Sequence, residues 1–399
     1  MDLEKTGLMP QEEMLETAYM PKRISIGIPN GNQFPEEEKR IALTPEAVKI
    51  LVDAGNEVFI ESGAGIGAKY SDNEYSESGA TITDSKVVVY NSDVVIKVSP
   101  FEEKDVDLMK EGQIIISYLN VLKQNQETFS KLMKKKVVAF AFEKICDDSG
   151  SFPIVESMNE INGITSILMA SEYLSNTLGG KGVMLGGVTG VTPTEVVIIG
   201  ANTAGKYAAK AALGLGAHVK VFDNSLSRLR NFENIVGQRL QTSVFHQQVL
   251  QKSLISADVV IGAMDLDDLK PTYYVSEDMV RLMKKGAVII DLSIDRGGCI
   301  ETTECRTLAE PAYEKFGVVH FSAWNLPSRV ARTASMALSN IFTPFLLSLS
   351  EAGVTASFLK DNPGYCQGVY LYNGILTNET LGTKFGLMSK DLRLLLSVF

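Results

Sequence analysis

Two successive series of short β-branched runs, each alternating with helical patterns, constrain the fold of this 399-residue chain more than any other feature. Strands that alternate with helices belong to parallel sheets covered by helices on both faces. The first series contains ISIGIP (24–29), TPEAVKILVDAG (44–55), EVFIE (57–61), DVVIKV (93–98), QIIISYL (113–119) and VVAFAFE (137–143). The second contains EVVIIG (195–200), HVKVFD (218–223), DVVIGA (258–263), AVIIDLSID (287–295) and VVHFSA (318–323). The alternation predicts an α/β protein with two lobes around a central cleft.

Two long helical patterns connect these lobes. One runs over about residues 158–177 and repeats apolar residues near the helical period, namely Ile161, Ile164, Leu168 and Leu174. The other begins at Thr333, has Pro344 as a kink, and carries one apolar face with Leu338, Ile341, Phe342, Phe345 and Leu349. We expect this second pattern to pack back on the first lobe, which makes that lobe discontinuous. The predicted domains are 1–153 plus 332–399 and 154–331, with a helical arm over residues 10–19.

Charge and composition exclude several classes of partner. The chain has 38 Lys and Arg against 48 Asp and Glu, so it lacks the positive charge that attracts nucleic acid. Its acidic first twenty residues do not have the pattern of a signal or transit peptide, and the charge-free stretch 333–350 is too polar to span a membrane. Four cysteines without C-x-x-C spacing predict no metal site. We therefore expect a cytoplasmic protein with no nucleic-acid or membrane partner.

The sharpest local motif follows the first strand of the second series and opens a helix. Its tight turn would aim backbone amides at a pyrophosphate, and the residues concerned are Gly200, Asn202, Thr203, Ala204 and Gly205. Asp223, about 20 residues further on, would accept from ribose hydroxyls and repel a 2′-phosphate, which favours NAD over NADP. Asn202 replaces the middle glycine of G-x-G-x-x-G, so its amide would crowd or hydrogen-bond the phosphates. A Rossmann-like domain that has lost its nucleotide is the alternative.

Several further motifs, in a fixed order, resemble the alanine dehydrogenase family, which is related to the NAD-binding subunit of transhydrogenase. They are RIALTP (40–45), ESGAG (61–65), VIKV (95–98), LGGVTG (185–190), IDRGG (294–298) and WNLP (324–327). The resemblance covers nearly the whole chain. It implies two Rossmann-like lobes, an NAD-dependent reversible conversion of L-alanine and water to pyruvate and ammonia, and a homo-oligomer, either a hexamer or a dimer.

The resemblance assigns Arg40 and Lys97 to the substrate. The guanidinium would grip the carboxylate of a 2-oxo acid with two hydrogen bonds, and the ammonium would lie near its carboxylate and carbonyl. Lys97 interrupts the apolar run VVIKV, where a lysine needs a partner anion. Two alternatives remain: Lys97 extends its ammonium to solvent at a strand end, and Arg40 pairs with the acidic residues 36–38.

In the second lobe, the resemblance assigns Asp295 and Asn325 to the cleft. Asp295 is predicted to end a strand and matches a family aspartate thought to orient or activate ammonia and water. Asn325 matches an asparagine on the nicotinamide side. The alternative role of Asp295 is that of a turn-forming acid ahead of two glycines. Asn159 and Leu292 are assigned to the cofactor on the same grounds.

Asn120 is the main departure from the family, which has a catalytic histidine at this place. An amide cannot supply a proton near pH 7, and loss of a general acid typically costs ~10²–10⁴ in rate. No obvious substitute exists among the three histidines of the chain, His218, His246 and His320.

The expectation is an alanine dehydrogenase-like enzyme with slow or altered chemistry, in which Lys97, Asp295 and Asn120 form the catalytic set. A catalytically weakened homologue that binds NAD(H) or regulates another process is the competing hypothesis. A transhydrogenase-like subunit that needs a membrane partner is a third, which the presence of Arg40 and Lys97 disfavours.

Overall fold

The computed structural model describes residues 23–31, 38–121, 124–147, 149–237, 240–266, 272–353 and 356–397. The helical arm predicted over residues 10–19 lies outside this part. The strands of the described residues are β1 (Ser25–Ile28), β2 (Glu57–Glu61), β3 (Thr81–Thr83), β4 (Val94–Lys97), β5 (Ile114–Ser117), β6 (Val138–Ala141), β7 (Glu195–Ile199), β8 (His218–Phe222), β9 (Gln241–Ser243), β10 (Val259–Gly262), β11 (Val288–Asp291), β12 (Ala312–Lys315), β13 (Val318–Phe321), β14 (Val369–Tyr372) and β15 (Ile375–Leu376).

Helices connect nearly all of these strands. They are α1 (Pro45–Asp53), α2 (Asp72–Glu77), α3 (Lys86–Tyr90), α4 (Glu103–Leu108), α5 (Gln126–Lys134), α6 (Pro153–Leu174), α7 (Thr203–Gly214), α8 (Leu226–Val236), α9 (Gln247–Ser256), α10 (Glu277–Arg281), α11 (Ala331–Ala352), α12 (Ala356–Asp361), α13 (Pro363–Cys366), α14 (Glu379–Phe385) and α15 (Leu392–Ser397).

The strands form two sheets, and the predicted α/β fold class is confirmed. The first sheet has the order β15-β14-β6-β5-β4-β1-β2-β3, and the second has the order β12-β13-β11-β10-β7-β8-β9. Pairing is parallel except at one end of each sheet. In the first sheet β14 is antiparallel to both β6 and β15, and in the second sheet β12 is antiparallel to β13. Strands β3, β9, β12, β14 and β15 are absent from the sequence prediction. Because β14 and β15 belong to the first sheet, that sheet takes strands from both ends of the described chain.

The central strands are buried on both faces, which explains their continuous β-branched sequences. Every residue of β10 (VVIG) and β11 (VIID) is buried, as expected for a parallel sheet covered by helices. Local signals fix the helix starts. Thr44 caps α1 ahead of Pro45, and Asn202 caps α7 by accepting a hydrogen bond from the Gly205 amide.

The two connecting helices differ in what they bury. α6 begins at Pro153, earlier than predicted, and two of its apolar residues, Ile164 and Leu168, are exposed. α11 buries Leu338 and Phe342 in the same hydrophobic cluster as β1 and β4, so the C-terminal segment packs on the first sheet as expected. The domain boundaries at residues 153 and 332 remain a prediction. Within the described residues, no helix combines the length and the apolar character needed to cross a lipid bilayer.

Candidate active site

The carboxyl ends of the strands of both sheets face one cleft, of about 1400 Å³ when the space open to solvent is counted. Residues that follow β4, β5 and β6 line one side, residues that follow β11 and β13 line the other, and α6 lies between them. Open α/β sheets bind ligands at this edge. Six predicted site residues line the cleft, namely Arg40, Asn120, Asn159, Leu292, Asp295 and Asn325.

Arg40 lies in the segment between β1 and α1, and its guanidinium is held by Glu38. Arg40 Nη2 lies 2.7 Å from Glu38 Oε2, and Arg40 Nε donates to Glu38 Oε1 at 2.8 Å. Burial acts to lower the pKa of Arg40, but the charge and hydrogen bonds of Glu38 raise it above its ordinary value. Glu38 is buried and also accepts from Asn325 Nδ2 at 3.1 Å. Glu38 thus joins a residue of each lobe.

Lys97 lies beside the main cleft, in a small adjoining pocket that it lines together with Arg40 and Ser99. It is the last residue of β4, its side chain is buried, and its Nζ lies 2.7 Å from Asp105 Oδ2. The partner anion that the sequence demands is therefore an aspartate of the same lobe. Ser99, two residues beyond Lys97, also lines the main cleft, and its buried Oγ has no hydrogen-bond partner among the described residues.

Asn120 and Glu143 follow the adjacent parallel strands β5 and β6. Asn120 Nδ2 donates to Tyr118 Oη at 3.1 Å. Glu143 Oε2 accepts from the Leu119 amide at 3.2 Å, whereas Glu143 Oε1 is buried and finds no partner in the described part of the chain. Burial raises the pKa of Glu143 to about 7, against the opposing effects of backbone hydrogen bonds and Lys144. Burial also raises the pKa of Tyr118.

Asp295 lies opposite these residues, in a short 3₁₀ turn over Ile294–Arg296. The prediction that Asp295 ends a strand is wrong, because β11 already ends at Asp291. The buried Asp291 holds the turn in place through its carboxylate, which accepts from the Ser293, Cys299 and Ile300 amides and from Thr303 Oγ1. The turn-forming acid of this segment is therefore Asp291, which leaves Asp295 on the cleft wall.

The glycine turn after β7 has the geometry of a dinucleotide-binding site. Gly200 has φ +114°, and a Cβ there would lie 2.1 Å from the Ala263 carbonyl, so the turn requires glycine. The first amides of a helix have no partner within it, and those of Thr203 and Ala204 open α7. The third amide of the helix, that of Gly205, donates to Asn202 Oδ1 at 3.0 Å. The Asn202 side chain therefore caps the helix, which the sequence analysis did not foresee.

Asp223 follows β8 at the expected place, but its carboxylate is already engaged. It is fully buried and accepts from the Ala201 amide at 2.8 Å and the Ser225 amide at 2.7 Å. Arg228 Nε lies 3.3 Å from its Oδ1. A carboxylate offers about four lone-pair sites. The residues present fit a dinucleotide whose ribose makes further hydrogen bonds to Asp223.

α6 links the glycine turn to the cleft. Asn159 lines the cleft, and one turn later a Cβ at Gly163 would lie 2.3 Å from the Ala204 carbonyl. This close packing places the start of α7 beside the helix face that carries Asn159. Leu292 follows β11 and also lines the cleft, so both of these residues assigned to the cofactor lie on its wall.

No histidine lines the described part of the cleft. His320 lies in β13, fully buried, with Nε2 2.8 Å from Thr302 Oγ1, and burial lowers its pKa to about 4. His218 and His246 are exposed elsewhere on the second lobe. The described residues also contain no cluster of His, Cys, Asp or Glu arranged to hold a metal ion.

Ser99 and Glu143 are polar residues of the cleft that the sequence did not identify, whereas Glu38 was foreseen only as one of the acidic residues 36–38 with which Arg40 could pair. Ser99 and Glu143 each lie two positions after an observed strand, β4 and β6; Ser99 directly follows the predicted strand 93–98, and Glu143 is the last residue of the predicted strand 137–143. Since carboxyl ends of parallel strands share one edge, this position alone could have identified both. The signal for Glu38 was its place two residues before Arg40, and the structure confirms that these two residues pair.

Comparison with known proteins gives consistent results. Residues 28–162 match the family described as "Alanine dehydrogenase/PNT, N-terminal domain", and residues 166–379 match "Alanine dehydrogenase/PNT, C-terminal domain". An alanine dehydrogenase of Methanococcus maripaludis is 38% identical over 358 residues, 89% of this chain and 95% of that protein. One of Staphylococcus saprophyticus is 37% identical over 368 residues, 92% of this chain and 98% of that protein.

Solved structures agree. An L-alanine dehydrogenase structure, 33% identical, superposes with a TM-score of 0.85 and covers 91% of this chain and 99% of its own. The transhydrogenase from Sinorhizobium meliloti, 22% identical with a TM-score of 0.73 over 88% of this chain and 98% of its own, shares the fold.

Proposed function

The chain belongs to the alanine dehydrogenase/PNT family, and from that membership we propose that it catalyses the reversible oxidative deamination of L-alanine, or of a related small amino acid, to pyruvate, ammonia and NADH. One observation carries the proposal. A cation for the carboxylate, Arg40, and polar groups from both lobes, Asn120, Asp295 and Asn325, line a single cleft next to a dinucleotide-type turn.

Substrate binding starts from the pair of Glu38 and Arg40. Glu38 already occupies the two-pronged face of the guanidinium, so the carboxylate of a 2-oxo acid competes with Glu38 for Arg40. The remaining nitrogen, Arg40 Nη1, donates to the thioether of Met158 at 3.4 Å, which is a weak acceptor. The substrate carboxylate gains a charge-assisted hydrogen bond there at little loss to the protein.

The cofactor we propose is NAD(H), held by the turn from Gly200 to Gly205 and by Asp223. When bound, NAD⁺ accepts a hydride from Cα of the amino acid. The start of α7 supplies amides and a favourable dipole for the pyrophosphate, and Asn202 Nδ2, which donates to Asp265 at 2.9 Å, is a further donor beside it. Asn159 and Leu292, which line the cleft, are the residues we assign to the nicotinamide end of the cofactor.

Asp295 and Asn120 face the reacting carbon from opposite lobes. A carboxylate can accept a hydrogen bond from ammonia or water and so orient it, whereas the Asn120 amide can donate to a carbonyl oxygen but cannot give up a proton near pH 7. We assign orientation of the nucleophile to Asp295 and polarisation of the carbonyl to Asn120. Trp324 and Phe142, which also line the cleft, limit the access of water.

A regulatory or NAD(H)-binding role without turnover is the second candidate. It is favoured by the placement of the two predicted substrate cations, since Glu38 holds Arg40 and Asp105 holds Lys97. In this alternative the cleft would bind a dinucleotide, and no 2-oxo acid would displace Glu38.

Turnover separates these functions. We expect the purified protein to oxidise NADH when pyruvate and ammonium are both present, and not with either alone. Asp295→Asn should lower kcat by about 10²-fold while NADH binding, followed by fluorescence, is kept. Binding of NADH without turnover of pyruvate or a panel of 2-oxo acids would establish the second candidate instead. The cytoplasmic location and the homo-oligomer remain predictions.

A further inference from the structure

We propose that Glu143 is the catalytic residue that exchanges protons with the oxygen and nitrogen atoms bound to the reacting carbon, a role that a histidine would otherwise fill. This inference rests on the proposed function. Three observations carry it: Glu143 lines the cleft, its Oε1 is buried without a hydrogen-bond partner among the described residues, and it follows β6 beside Asn120.

The unpartnered oxygen is the strongest of these. A buried polar atom without a partner is costly, so it indicates a group that is satisfied only when something else is bound. The other oxygen, Oε2, is fixed by the Leu119 amide, which orients the carboxyl group. The neighbouring carboxylates show the contrast, because Glu38 and Asp105 are each paired with a cation.

The reaction needs a group that both takes and gives a proton near neutral pH. Burial raises the pKa of Glu143 to about 7, so both of its forms are populated there. The titratable or charged groups around it are Lys144 on its own turn, Tyr118 after β5, Asp295 and Arg296 across the cleft, and Glu38 and Arg40 beside α1. Tyr118 is a poor substitute, since burial raises its pKa further above neutrality.

The proposed step begins from the iminium carbon that remains after the hydride has left Cα. Water attacks this carbon, the C–O bond forms, and the π electron pair moves to nitrogen while one water proton passes to the Glu143 carboxylate. Glu143 then protonates the amine nitrogen, the C–N bond breaks with its electron pair on the departing ammonia, and the hydroxyl proton returns to Glu143 as the carbonyl forms. Release of that proton to solvent restores the carboxylate. The reverse sequence serves amination.

Glu143→Gln tests the step, because glutamine keeps the size and the acceptor but cannot transfer a proton. We expect kcat for pyruvate amination to fall about 100-fold or more, with KM for pyruvate within about threefold, and the inflection of kcat near pH 7 to disappear. Glu61→Gln is the matched control. Glu61 ends β2 at the same edge of the sheet and is buried, but its Oε2 accepts from the Asn30 amide at 2.8 Å, so kcat should stay within about twofold.

A rescue variant distinguishes proton transfer from a structural role. Asn120 lines the same cleft, so Asn120→His in the Glu143→Gln background introduces an imidazole that titrates near neutrality. We expect it to recover kcat at least about tenfold. Infrared spectra of protein carrying ¹³C-labelled glutamate should also show a protonated carboxyl that titrates near pH 7 in the wild type and is missing in Glu143→Gln.

The outcomes separate the two levels of the proposal. If the wild type turns over pyruvate but Glu143→Gln keeps its kcat and its pH inflection, the role of Glu143 is wrong and the function stands. An infrared titration near the ordinary carboxyl pKa would likewise overturn the role. If the wild type turns over no 2-oxo acid, the function and the role fall together.

Discussion

The polar groups at the carboxyl edges of the two sheets differ in how far the fold satisfies their hydrogen bonds. At the edge of the second sheet, Asp223 accepts from two backbone amides and Asp291 from three amides and a hydroxyl. At the edge of the first sheet, Ser99 Oγ and Glu143 Oε1 are buried without a partner in the described part of the chain. These two groups of the first sheet are therefore left without the backbone donors that engage Asp223 and Asp291 in the second.

This difference separates the residues that build the site from those available for chemistry. Asp223 and Asp291 organise the backbone of the turns that follow β8 and β11, and their hydrogen-bonding capacity is largely used by the fold. The unpartnered atoms of the first sheet contribute nothing to stability and cost desolvation. Buried polar atoms without a partner in the fold are the ones that can form hydrogen bonds with a substrate.

The largest effect we expect is on stability, from Asp291→Ala. The substitution leaves the Ser293, Cys299 and Ile300 amides without this acceptor, whereas Thr303 Oγ1 keeps the Ile300 carbonyl. Each buried unsatisfied donor costs ~1–3 kcal/mol, so the free energy of unfolding should fall by about 4 kcal/mol or more. Ser99→Ala is the control at the other edge and should change stability by less than about 1 kcal/mol, because it removes an unpartnered hydroxyl. If urea denaturation showed equal losses of unfolding free energy for the two variants, the proposed difference between the two sheet edges would be wrong.

Lys97 tests whether a charge near the first edge can also belong to the fold. Lys97→Met leaves Asp105 buried and unpaired, which should cost about 3–5 kcal/mol. Adding Asp105→Asn removes the second charge and should recover more than half of the lost free energy of unfolding, measured by urea denaturation. We expect KM for pyruvate to change little in the double variant. A tenfold rise would instead support the substrate role that the sequence predicts for Lys97.

Lys97 illustrates what the sequence can predict about the structure and what it cannot. The rule that a lysine in an apolar strand needs an anion predicted a partner correctly, but the sequence could not say whether Asp105 or a substrate supplies it. Periodicity located the central strands to within a few residues, because strands buried on both faces have continuous apolar sequences. It missed β3, β9, β12, β14 and β15, which all lie at or next to a sheet end and are held there by tertiary pairing.

The site was predictable only where motif and topology coincide. The turn at Gly200 and the cleft positions of Arg40, Asn120, Asp295 and Asn325 followed from motifs. The Asn202 cap and the pairing of Glu38 with Arg40 join residues three and two positions apart, and the acidic residues 36–38 were already named as possible partners of Arg40. The unpartnered Glu143 oxygen, in contrast, depends on distances that arise only when distant segments pack. Sequence spacing contains no information on such distances.

Arg40 lies between the two classes, since it is satisfied by Glu38 yet lines the cleft. Arg40→Lys removes the two-pronged geometry while keeping the charge, so KM for pyruvate should rise about 10–100-fold, with a smaller change in kcat. Steady-state kinetics at saturating NADH and ammonium measure both constants. An unchanged KM would show that Arg40 has a structural role, like Asp223 and Asp291, and does not bind the substrate carboxylate.

The smallest effect we expect is the pH dependence of stability caused by Glu143. Its folded-state pKa of about 7 lies above the ordinary value of 4.5, so the native state binds more protons between these values and stability falls as pH rises through that window. Glu143→Gln removes this loss. Because the side chain is only partly buried, we expect a gain of about 1–2 kcal/mol above pH 7, and none below about pH 4. Thermal denaturation at both pH values measures it. A gain of equal size at both would show that the carboxyl is not held against ionisation, and the edges of the two sheets would then no longer differ in this respect.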